Sequence, residues 1–95
     1  MRISKEIQNF FKQSVKSINA AANVYLFRSR TDDNKKGGDI NILILSDKEI
    51  DLDKILLLKI NFYKQFGEQK LDIINFTYNE NNSFKDYILD AAILL

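Results

Sequence analysis

The run Asp39-Ile40-Asn41-Ile42-Leu43-Ile44-Leu45 constrains what this chain can fold into more than any other stretch. A strand with one wet face alternates apolar and polar side chains at period two. Here apolar residues fill both parities beyond Asn41, so the run predicts a strand buried on both faces over much of its length. Such strands belong to sheets that carry helices. The pair Gly37-Gly38 breaks the chain just before it.

The surroundings fit that expectation. Residues 4–19 predict a helix, with Ile7, Phe10, Phe11, Val15 and Ile18 spaced along one face. "NVYLF" (23–27) predicts a short strand, and residues 28–38 a charged loop. Asp51 is placed to cap a helix to about Phe66, with Leu52, Ile55, Leu56, Ile60, Tyr63 and Phe66 as its apolar side and Gly67 as its stop. "KLDIINFTY" (70–78) predicts a third strand, "NENN" (79–82) a turn, and Ser83 the cap of a last helix running to the end. The order is α-β-β-α-β-α, an α/β (α+β) fold in which helices pack on a β-sheet, within a single domain covering 1–95. At 95 residues the core is near the lower end of what stabilises a domain alone.

Composition narrows the chemistry. There is no cysteine and no histidine, which removes thiol nucleophiles, zinc-thiolate sites, imidazole bases and imidazole ligands. A metal site here would be built from oxygen, which suits magnesium, calcium or manganese. A net charge of +1 gives no electrostatic argument for nucleic acid or an anionic membrane. No run of eighteen apolar residues is present and "MRISKEIQNFF" lacks a signal-peptide block, so the expected location is the cytoplasm. "YILDAAILL" (87–95) is apolar; it either docks on the core or meets a partner, and the plainer reading is that Ile88, Ala92 and Leu95 cover the sheet.

Strand alternation puts Asp39 and Asn41 on one face, and Asp72 joins them if the second and third strands are neighbours. Three oxygen-bearing side chains would suit one or two hard cations, while Arg28, Ser29, Arg30, Lys35 and Lys36 are able to meet phosphate. Taken singly, each part also reads as turn or loop chemistry. Nucleic-acid binding through the basic loop is disfavoured, because Asp32, Asp33 and Asp39 offset its charge.

The stretch "NVYLFRSRTDDNKKGGDINILIL" resembles the small (minimal) nucleotidyltransferase family with the polymerase-β-like fold. That family has an apolar strand, Gly-Ser, a loop of about ten residues, then Asp-x-Asp opening a second strand. "FGEQKLDIINF" resembles the segment carrying the family's third carboxylate. The likeness runs from Asn23 to Phe76, and the motifs are specific in combination. It implies a mixed sheet with helices packed on one face. It also implies phosphate-holding by Ser29, metal binding by Asp39, and a base or metal ligand at Asp72.

Two positions depart from the pattern: Arg28 stands where the family has Gly, and Asn41 where it has the second Asp. Arg28 adds a long side chain at a place of close backbone approach, though its guanidinium is able to meet phosphate with Ser29 and Arg30. Asn41 loses the charge and bridging geometry of a carboxylate. The resulting expectation is a catalytically impaired member that acts by binding, as an antitoxin-like partner of a HEPN-domain protein, since bacterial relatives of this size are often encoded with one. The alternative is an active magnesium-dependent enzyme moving a nucleoside monophosphate from a nucleoside triphosphate to a protein, RNA or small-molecule hydroxyl. Self-association stays open.

Overall fold

The computed structural model describes residues 3–27 and 40–95. These form three helices and a four-stranded mixed sheet in the order α1 (Lys5–Ile18), β1 (Asn23–Phe27), β2 (Ile40–Ser46), α2 (Leu52–Phe66), β3 (Leu71–Thr77), α3 (Ser83–Leu89), β4 (Ile93–Leu94). In space the sheet runs β3-β2-β1-β4; β2 pairs parallel with β3 and antiparallel with β1, and β4 pairs antiparallel with β1. No described helix is long and apolar enough to cross a membrane.

All seven residues of β2 are buried, which extends the double burial predicted by its apolar run to the polar Asn41 and Ser46. Alternation splits them between two cores. Ile40, Ile42 and Ile44 face α1 and α2, packing with Phe11, Val15, Ile55, Leu58 and Phe62. Leu43 and Leu45 face the other way, against Ile88 of α3 with Ile74 and Phe76 beside them. The helices therefore lie on both faces of the sheet, not on one as the family resemblance implies. The reason is local: the second face of β2 and β3 is as apolar as the first, and α3 is what removes it from water.

Local signals set most boundaries. The Ser4 hydroxyl accepts from the Ile7 N–H at 3.1 Å, satisfying a donor at the start of α1. Asp51 occupies the N-cap of α2 through its backbone, without a side-chain cap bond. Gly67 ends α2 at φ 87°, in the left-handed region that favours glycine. Phe10, Phe11, Phe62 and Phe66 then lock α1 to α2; the Phe11 and Phe62 rings stack with centroids 5.4 Å apart.

Three expectations change. The buried side of α2 is Ile55, Leu58 and Phe62, whereas Leu52, Leu56 and Ile60 are exposed. Apolar residues at 55–58 surround the helix, so their spacing alone did not select the face; the phenylalanines of α1 do. The cap of α3 is Asn82, not Ser83: its side-chain oxygen accepts from the Phe84 and Lys85 N–H groups at 2.8 and 3.1 Å. Finally, α3 stops at Leu89 and the chain turns into β4, where Leu26 pairs with Ile93 and Tyr25 with Leu94. The apolar tail thus covers the sheet only in part, with Ile93 and Leu94 exposed. Ile88 is buried, and Ala92 and Leu95 are partly buried against the two cores.

Candidate functional site

The parallel register of β2 and β3 sets Asn41 opposite Asp72, and β1 places Phe27 on the other side of Asn41. Residues 41, 43 and 45 share a face with 72, 74 and 76, so Asn41 and Asp72 stand on one rung of the α3 face. Adjacent strands lie about 4.8 Å apart, which puts the two side chains within reach of a common ligand. Asn41 is 5% exposed, and among the described residues its Nδ2 has no hydrogen-bond acceptor. Asp72, on the edge strand, is open to solvent.

The expected pairing of Asn41 with Asp72 is thus present. Arg28, Ser29, Arg30 and Asp39, together with Lys35 and Lys36, lie outside the described residues. Two of the three positions expected to form the site come together, and among the described residues no three acidic side chains converge on one point. One carboxylate and one neutral amide fit a hard dication poorly. Magnesium is held through carboxylates and substrate phosphates, and a buried amide N–H repels it. The chemistry that fits Asn41 better is an acceptor oxygen approaching its free N–H.

The opposite end of the sheet is stitched by polar side chains whose bonds are made. The Asn75 Oδ1 accepts from the Ile50 N–H at 2.8 Å, and its Nδ2 donates to the Ile44 carbonyl and the Ser46 hydroxyl, each at 3.0 Å. Asn19 Nδ2 donates to Asp47 Oδ1 at 2.8 Å, and that bond holds the Asp47 carboxyl below its usual range. Tyr78 donates its hydroxyl to the Ala21 carbonyl at 2.7 Å. Loss of solvent around the phenol is the main cause of its raised pKa, with Tyr25 and Asp47 adding to it. A cleft of about 270 Å³ beside α1, lined by Lys12, Gln13, Lys16, Asn23, Val24 and Leu95, holds no carboxylate side chain.

No protein-family profile and no curated protein sequence matches this chain. The nucleotidyltransferase resemblance therefore rests on its motif residues in the sequence.

One buried charge escaped the reading of the sequence. Lys85 is 6% exposed, and its ammonium donates to the carbonyls of Thr77, Tyr78 and Glu80 at 2.8–2.9 Å. All three ammonium donors are used, so Lys85 fastens the β3–α3 turn and is not available to a phosphate. A signal was present: Lys85 stands three residues before Ile88, on the helix face that covers the sheet.

Proposed function

We propose that this protein is a nucleotidyltransferase-fold domain that has lost efficient nucleotidyl transfer and acts by binding, as an antitoxin-like partner of a HEPN-type protein. The observation that carries the reading is Asn41. It stands where the family pattern has its second metal-binding Asp, on the same rung as Asp72, buried and with an N–H that finds no partner among the described residues. An amide there gives a neutral oxygen at most, and two-ion clamping of a triphosphate needs bridging carboxylates. A fold outlasts its chemistry when its surfaces serve another purpose.

The second reading is a working magnesium-dependent transferase. It draws support from the shared rung of Asn41 and Asp72, which keeps two of the family's three ligand positions side by side, with the Asp72 carboxylate solvent-accessible.

Calorimetric titration of magnesium with a non-hydrolysable ATP analogue into wild type and Asn41→Asp separates the two. The binding-only reading expects heat of binding for Asn41→Asp and none for wild type. Nucleoside monophosphate transfer by wild type, abolished in Asp39→Ala, would establish the second reading instead. The partner role is tested by co-expressing a HEPN-type toxin: the chain should relieve its growth arrest, and Asp39→Ala should relieve it equally.

A further inference from the structure

We propose that the exposed ridge of α2 joins two copies of this chain through an antiparallel helix pair. This goes beyond the functional reading above and does not depend on it.

The core needs only one side of α2, namely Ile55, Leu58 and Phe62. About a third of a turn away, Leu52, Leu56 and Ile60 follow one another at i, i+4 and i+8, with Leu57 beside them. They are 70%, 48%, 49% and 56% exposed respectively. Residues at i±4 form the ridge that packs into the matching groove of another helix. Four such side chains offer roughly 400 Å² of apolar surface, the size of the largest apolar patch on a typical monomer, and such patches are often functional. A stable interface needs about 800 Å² per partner, so the ridge supplies near half and its polar flanks the remainder. With a net charge of +1, two copies meet little long-range repulsion.

Charge placement selects the second copy and its direction. Asp53 and Lys64 are both exposed, and helical spacing puts them on the same flank of the ridge near opposite ends of α2. A two-fold axis passing between Leu56 and Ile60 sets Leu56 against Ile60 of the other copy. The same axis sets each Asp53 across from the other copy's Lys64. A parallel pair would instead put the two copies of this flank on opposite sides of the seam, leaving Asp53 and Lys64 unpaired. The antiparallel arrangement also opposes the two helix dipoles.

Sedimentation velocity on the whole chain tests this from about 1 to about 200 µM, the range in which an interface of this size associates. The expected result is a concentration-dependent rise from 11.1 kDa to twice that mass. Leu56→Asp should weaken association at least about a hundredfold, with an unchanged far-UV circular dichroism spectrum because Leu56 lies outside the core. Asp53→Lys should weaken it about tenfold, and adding Lys64→Asp to that variant should restore it. These exposed charge variants keep the test sound should Leu56→Asp misfold. A mass of 11.1 kDa across the whole range overturns the proposal, whatever else covers the ridge. So does a dimer indifferent to Leu56→Asp, or a double charge swap that fails to restore association. Magnesium and nucleotide enter none of these measurements, so their outcome stands apart from that of the titration above.

Discussion

Replacing Asn41 by leucine should make this protein more stable, although the residue lies on the candidate site. The Asn41 Nδ2 is buried without an acceptor among the described residues, and an unmet buried donor costs about 1–3 kcal/mol. Leucine has nearly the same branched shape, removes that donor, and extends the apolar row of Leu43 and Leu45 on the α3 face. Its slightly larger volume costs part of the gain. A net rise of about 1–2 kcal/mol should remain, which for a domain of this size moves Tm up by roughly 4–16 °C. Asn41→Asp should act in the opposite sense, because it buries a carboxylate beside Asp72; without cation it should cost about 2 kcal/mol or more. Thermal unfolding followed by circular dichroism measures both, with and without millimolar magnesium. A drop in Tm for Asn41→Leu would refute the reasoning, since the amide must then be satisfied in the folded protein. Magnesium restoring Asn41→Asp but leaving wild type unmoved would show that the rung needs only its second carboxylate to hold a cation.

Three further outcomes follow from the geometry. Lys85→Met keeps the apolar stem but leaves the carbonyls of Thr77, Tyr78 and Glu80 without their shared donor; the urea midpoint should fall by an amount equivalent to about 2–4 kcal/mol. Gly67→Ala meets no atom within 4 Å of the added Cβ, so only the backbone strain at φ 87°, ψ 170° remains, about 1–3 kcal/mol by the same assay. For Asp47 the folded pKa lies below the unfolded one, because Asn19 donates to the carboxylate. The stabilisation is therefore full above about pH 4 and lost as pH falls through the folded value. Asn19→Ala should flatten the acid limb of the stability curve below about pH 4, and an unchanged acid limb would show that the bond contributes nothing in solution.

How much of this was legible depended on how local each cause was. β1 spans 23–27 as its composition predicts, and the stop signal at Gly67 marks a real helix end. The double burial of β2 followed from seven residues alone. The buried face of α2 did not, because Leu56, Leu57 and Leu58 fit several helical faces and Phe10 and Phe11, distant in sequence, make the choice. β4 was hidden for the same reason: "ILL" suits a helix as well as a strand, and only the open edge of β1 turns it into one. At the site, alternation and neighbouring strands were enough to bring Asn41 to Asp72. The orphaned amide was beyond the sequence, since it depends on what fails to come near Nδ2.

The place of β4 bears on how the chain is made. Its partner β1 leaves the ribosome about seventy residues earlier, since Tyr25 pairs with Leu94. Throughout that interval the outer edge of β1 has no neighbour, and an open strand edge is a template for other chains. Only when residues 93–95 emerge do Ile93 and Leu94 close the sheet, with the Leu95 N–H donating to the Val24 carbonyl at 2.9 Å. Chains halted short of this point would carry a finished β2–β3 pair and a bare β1 edge, and are the species a cell would need to shield from aggregation.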